Sequence, residues 1–148
     1  MKSLFKSLSA IILFVLPSCS LTKKAESQNN ATIIAVDHDY NEVSDYELLW
    51  DTMFDVDSAF YYVYFYSLTC NHCAEIKNYM IEKALQQGNI YFIKSTSRDQ
   101  LTTDQNKSKN AENPGDIWIL GYPSLIAISN KKCSKNLAGI SQIKQELK

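Results

Sequence analysis

The sequence has no excess of charge of either sign. Its 15 Lys and Arg stand against 16 Asp and Glu, a formal net charge of −1 over 148 residues. No basic patch recurs along it, which removes the electrostatic footprint of a nucleic-acid binder. The apolar run near the N-terminus, Ser9 to Leu16, is too short to cross a bilayer as a helix. Cysteine is sparse: Cys19, Cys70, Cys73 and Cys133, of which only Cys70 and Cys73 are closely spaced. Structural zinc takes four ligands in recognisable pairs, so no metal centre is expected from Cys70 and Cys73 with His72, His38 or Cys133. No cofactor is expected either. Aromatic residues are plentiful, with nine Tyr and six Phe, and 45% of residues are hydrophobic. That suffices for the core of one domain of ordinary size.

The chain is organised around Tyr61 to Met80, YYVYFYSLTCNHCAEIKNYM. An aromatic, strand-favouring run breaks at Ser67-Leu68-Thr69 and continues through Cys70-Asn71-His72-Cys73 into a helical pattern. The two cysteines therefore fall where a buried strand passes into a helix. The free amide groups and the dipole of a helix N-terminus stabilise a thiolate there. With two residues between them, Cys70 is placed near the cap and exposed, and Cys73 one turn in and behind it. Cys70 can then attack a disulfide, and Cys73 can resolve the mixed intermediate.

Residues 1–18 read as a signal peptide: Lys2 and Lys6 form a positive start, and Ser9 to Leu16 an apolar middle. Leu16-Pro17-Ser18-Cys19 resembles the lipobox of bacterial lipoproteins, with Pro17 an unusual occupant. That resemblance implies a diacylated Cys19 and a cell-membrane anchor on the extracytoplasmic face; ordinary secretion and an uncleaved anchor are the alternatives. Residues 19–30 are polar and aperiodic, a flexible tether, and the folded domain is expected over 31–148.

Within that domain Thr32 to Val36 predicts a short strand, and Asp37 to Val43 a polar connection with a solvated His38. Ser44-Asp45-Tyr46-Glu47 has the form of a capping box, so a helix is expected from there, burying Tyr46, Leu49, Trp50, Met53 and Phe54. Phe60 to Tyr66 lacks polar alternation, as a strand covered on both faces does. Cys73, Ile76, Met80, Ile81 and Ala84 form a helical stripe that Gly88 ends, and Asn89 to Ile93 is a further strand. Lys94 to Asp116 is polar; a weak helix is expected near Asp99 to Lys107 and a turn at Asn113 to Asp116. Ser124 to Ser129 and Cys133 to Leu137 predict an antiparallel pair about a turn at Asn130 to Lys132. Gly139 then precedes a final helix with Ile140, Ile143 and Leu147 on one face. Alternating strands and helices favour an α/β sheet with parallel pairs.

From residue 31 to the end the chain resembles the thioredoxin superfamily. The resemblance rests on Cys70-Asn71-His72-Cys73 at the strand-to-helix turn, on Pro123, on Gly139, and on the element order. It implies an α/β, thioredoxin-like three-layer sandwich, a central mixed sheet with flanking helices. It implies a cis bond at Tyr122-Pro123, with these two residues offering an edge to an extended protein substrate. His72, just before the second cysteine, is similar to the histidine of the Dsb-type oxidases, where it favours the first thiolate. The chain departs from thioredoxins in having Thr69 before the first cysteine and Tyr64 where they carry a buried Asp. Tyr64 cannot serve as a base near neutral pH.

These features point to an extracytoplasmic thiol-disulfide oxidoreductase acting on protein thiols and disulfides, a monomer with a separate redox partner. The other reading is a non-catalytic accessory lipoprotein that binds a partner protein. Cys133, left over once Cys70 and Cys73 pair, reads as a partly buried thiol or an intermolecular disulfide partner.

Overall fold

The computed structural model describes residues 36–148. The expected signal peptide, Cys19, the expected tether and the predicted strand up to residue 35 lie outside the described residues, and Val36 itself is exposed coil. Four strands and two α-helices make up the described part: β1 (Phe60–Tyr66), α1 (Asn71–Gln87), β2 (Ile90–Lys94), β3 (Ser124–Ser129), β4 (Lys132–Ala138) and α2 (Ile140–Glu146). The sheet order is β2-β1-β3-β4, with β2 parallel to β1 and the β1–β3 and β3–β4 pairs antiparallel. Among the described residues no helix is long and apolar enough to cross a membrane.

The double burial read from β1 decides where everything else packs. Successive strand residues point to opposite faces. Tyr62, Tyr64 and Tyr66 join Ile90, Phe92, Leu125 and Ala127 beneath α1 and α2, against Ile76, Met80, Ile81, Ala84, Ile143 and Leu147. Tyr61, Val63 and Phe65 join Ile93, Ile126 and Ile128 on the other face, under Trp50, Met53, Phe54, Ile117 and Ile119. Both α-helices thus cover one face, together with Tyr40 and Val43, while the segments around Trp50 and Ile117 cover the other. Helix α1 stops at Gly88, whose φ of 69° closes the last turn through a bond from its N–H to the Ala84 carbonyl (2.8 Å). A residue with a Cβ would strain that left-handed position.

Two expected helices are absent. No α-helix runs from Ser44 to Phe54. A 3-10 helix spans Tyr40–Tyr46 instead, capped by Asp39 with Glu42 reaching back to the cap N–H, and a second covers only Trp50–Thr52. Between them Glu47 pairs with Phe92 along the outer side of β2, and the Leu48 N–H donates to the Phe92 carbonyl (2.8 Å). That pairing needs extended backbone, so tertiary contact overrides helix propensity. Trp50, Met53 and Phe54 are buried as expected, but Leu49 is 74% exposed. Nor does a helix form at Asp99 to Lys107. There Leu101 bridges Ile119, and the Thr102 and Asp104 side chains accept from the backbone N–H groups of Asp104 and Asn106. Such local side-chain bonds compete with helix formation.

His38 is not solvated either. Its side chain is 13% exposed, with Nδ1 2.8 Å from Glu42 and Nε2 3.5 Å from Glu82 of α1. Its N–H donates to Asn78 Oδ1 (3.0 Å), and Asn78 donates to the Val36 carbonyl (3.0 Å). The Glu42 hydrogen bond raises the His38 pKa above its ordinary value, burial opposing it. Glu42 is lowered, first by the Asp39 N–H and then by His38.

Two kinds of outcome are expected, one of packing and one of pH. Phe92, fully buried between Tyr40, Tyr64 and Tyr66, should cost about 3–5 kcal/mol when changed to Ala. Leu49→Ala should stay within about 0.5 kcal/mol in the same denaturant titration; a loss of about 2 kcal/mol or more would restore the buried helical face. The second concerns pH. A raised His38 pKa means that its contribution is complete below the ordinary histidine value and is lost as pH rises through the raised one. The melting temperature should therefore fall from about pH 6 to about pH 8, and less so in His38→Gln. Equal slopes in the two proteins would remove the pairing from the account.

Candidate active site

Strand β1 ends at Tyr66, three residues turn, and Cys70 becomes the N-cap of α1. Its backbone is extended (φ −93°, ψ 116°), and its sulfur accepts the Cys73 N–H at 3.2 Å. A side chain that caps a helix start satisfies a free donor, and the dipole there favours negative charge. On the other side the Cys70 thiol donates to the Tyr122 carbonyl at 3.6 Å. Tyr122-Pro123 is a cis peptide immediately before β3. Cys70 is partly exposed and Cys73 buried, both as free thiols.

The two sulfurs have different surroundings. Burial, and then the hydrogen bond with Cys70, push the Cys73 thiol up to about 12. It stays protonated near neutral pH unless something stabilises its anion. Cys70 meets solvent and a helix terminus, which suits an attacking sulfur.

The structure brings Cys70, Cys73 and Tyr122 together and leaves His72 apart. The His72 side chain is 74% exposed, with Nδ1 3.8 Å from Glu75. Asn71 is exposed as well. Pro123 is buried, and its carbonyl accepts the Gly139 N–H at 3.0 Å, tying the loop before β3 to the start of α2. Tyr122 is half-buried and touches both cores, so it is the accessible member of the pair. Cys133 belongs to the core on the opposite face from Cys73. Burial pushes its thiol up to about 11. Among the described residues no three His, Cys, Asp or Glu side chains gather as a metal site.

Sequence reasoning passed over Tyr40, which lay in the stretch read as a polar connection. Its ring stacks on Tyr66 at 3.9 Å between centroids, inside the cluster that holds Tyr64, Phe92 and Cys73. The signal was present: Asp39-Tyr40-Asn41-Glu42 is itself a capping-box pattern, and the structure forms it. The hydroxyls of Tyr40, Tyr64 and Tyr122 are all buried without a hydrogen-bond partner. Each such group costs about 1–3 kcal/mol in lost solvation.

No protein-family model matches the chain, and no curated protein does. Among solved structures it is similar to Chlamydomonas reinhardtii thioredoxin f2, with a TM-score of 0.43 and 15% identity over 68% of this chain and 88% of that one. It is similar also to Plasmodium falciparum thioredoxin, with a TM-score of 0.43 and 18% identity over 66% and 87% of the two chains. The oxidised Plasmodium falciparum protein in solution gives 0.44 and 19% over 66% and 86%. The fold is thioredoxin-like on its own terms: a parallel β1–β2 pair, antiparallel β3 and β4, a dithiol where β1 meets α1, and a cis-proline before β3.

Unequal thiol surroundings should appear as unequal reactivity. In the folded protein at about pH 8, iodoacetamide should modify Cys70 at least about tenfold faster than Cys73 or Cys133, as peptide mass mapping would read it. Labelling of Cys133 as fast as Cys70 would mean that β4 does not hold that thiol in the core.

Proposed function

We propose that the chain is an extracytoplasmic thiol-disulfide oxidoreductase, lipid-anchored through Cys19, that exchanges disulfides with protein substrates. The observation that carries this reading is the Cys70 sulfur itself. It is partly exposed, held at a helix N-terminus by the Cys73 N–H, and flanked by the Tyr122 carbonyl. Every contact suits a nucleophile with a second thiol directly behind it.

In the oxidising direction a substrate thiolate attacks Cys70 of the Cys70–Cys73 disulfide. A substrate–Cys70 bond forms, Cys73 leaves as a thiolate and takes a proton, and a second substrate thiolate then displaces Cys70. Two electrons pass to the pair. The reducing direction runs the same bonds backwards, and Cys73 then resolves the mixed disulfide. Tyr122, the more accessible partner of Pro123, is the contact proposed for the substrate backbone. His72, exposed with Nδ1 3.8 Å from Glu75, is the residue proposed to favour the Cys70 thiolate. The anchor rests on the Leu16-Pro17-Ser18-Cys19 pattern; a secreted form is the alternative.

Equilibration of the full chain against glutathione tests this reading. A potential well above about −270 mV, towards about −120 mV, assigns the resting disulfide and an oxidase or isomerase role. A value near or below about −270 mV assigns a reductase fed by a dedicated donor. If the pair forms no disulfide across the whole range, the redox reading falls and the partner-binding module replaces it.

A further inference from the structure

A dithiol enzyme of this geometry has an unsolved problem at its second sulfur. Cys73 must become a thiolate whenever it resolves a mixed disulfide or leaves one, yet it is buried and desolvation opposes its charge. Among the described residues no Asp, Glu, His or Lys is a cause of its raised pKa. Its core cluster holds Tyr64 and Tyr66 from β1, Phe92 from β2 and the aliphatic residues of α1, with Tyr40 packed against it. Tyr66 is already occupied, donating to Glu47 at 3.0 Å. Tyr40 and Tyr64 are not: both hydroxyls are buried without a partner, and Tyr64 is fully enclosed.

The rings of these two phenols are held firmly. Tyr40 stacks on Tyr66 at 3.9 Å, Tyr64 lies parallel to Tyr66 at 6.2 Å, and Phe92 closes edge-on against all three. Phenylalanine would pack as well at either position and would avoid the desolvation of an unpaired hydroxyl. Burial first, and then the charge of Cys73 for Tyr40 and of Tyr40 and Cys73 for Tyr64, hold both phenols protonated far above neutral pH, while the nearness of the Tyr64 hydroxyl works the other way on Tyr40. They are therefore donors and cannot be bases.

We propose that Tyr64 and Tyr40 are the electrostatic partners of Cys73: their hydroxyls, unpartnered within the buried cluster that holds the thiol, donate to its sulfur when it becomes a thiolate. The proposal rests on the oxidoreductase reading and concerns its resolving step. In that step Cys73 gives its proton to solvent, and its sulfur bonds to Cys70 Sγ. The Cys70–substrate S–S bond breaks, and the substrate sulfur leaves with the electron pair and takes up a proton. The phenols lose and gain no proton; they lower the cost of the buried anion through charge-assisted hydrogen bonds.

The test follows both sulfurs in one stopped-flow trace. The reagent is 5,5′-dithiobis(2-nitrobenzoate), mixed with the reduced full chain carrying Cys19→Ser and Cys133→Ala. Attack by Cys70 releases one nitrothiobenzoate, and resolution by Cys73 releases the second. Tyr64→Phe should leave the first release within about twofold and slow the second about tenfold at neutral pH, the loss of one hydrogen bond to a charged group. The pH midpoint of the second release should move upward by about one unit, while the denaturation midpoint rises because an unpaired hydroxyl is gone. Tyr40→Phe should act in the same direction. A more stable Tyr64→Phe with an unchanged second release and pH profile would overturn the proposal, and so would an effect on the first release alone. If the chain with both tyrosines gives a first release but never a second, the dithiol reading itself fails, and the two failures are told apart.

Discussion

The structure depends on one strand that has no exposed face. Strand β1 is buried from Tyr61 to Tyr66, so its ladder must be paired on both sides and its side chains covered both above and below. Covering the first face recruits α1 and α2, and pairing recruits β2 and β3. The end of such a strand is where the chain can first meet solvent again. It does so at Ser67-Leu68-Thr69, and Cys70 follows at once as the cap of the helix that returns over the same strand. Thus the position of the reactive sulfur at the rim of the sheet, with a donor aimed at it, follows from the burial of β1. Cys73, one turn later on the inward stripe, is buried for the same reason that Ile76 and Met80 are.

What could be read from the sequence was what local chemistry decides. The β1 run, the α1 stripe with its glycine stop, the β3–β4 hairpin and the dithiol junction lie where the residues mark them. The hairpin even uses two consecutive left-handed residues, Asn130 and Lys131, with the Lys131 ammonium donating to the Phe54 carbonyl at 2.9 Å. The misreadings have two causes. Ser44 to Phe54 has helical spacing, but Glu47 and Leu48 are drawn out along β2, which no periodicity reveals. In 94–116 the many Ser, Thr, Asn and Asp side chains bond their own backbone, so polarity there marks turns. The dithiol and the proline loop of the candidate site were legible as a motif. The turn at Tyr40 was legible as a capping box, but its place in the cluster that holds Cys73 is made by stacking on Tyr66 across 26 positions of sequence.

The aromatic cluster behind the dithiol links these observations. Tyrosine supplies bulk for a core and a polar tip that must be accounted for. At Tyr61, Tyr62 and Tyr66 the tip finds the Met53 carbonyl, Glu146 and Glu47. Those three rings are anchored at both ends and fix the sheet against its covering segments. The hydroxyls that find nothing are Tyr40, Tyr64 and Tyr122, and all three belong to the residues around the cysteines. The buried phenols without a partner thus gather around the dithiol more closely than they follow strand or layer.

Both outer strands of the sheet carry a short cover. Glu47 pairs against β2. On β4, the Cys133 N–H and carbonyl bond to Ala111 and Asn110 at 2.8 Å each. A sheet margin is the surface on which a foreign extended chain could zip up, or on which copies of one protein could join into a fibre. Here either event must first displace a segment of the same chain. The polar stretch before β3 therefore acts as a guard rail for β4, as Glu47 and Leu48 do for β2.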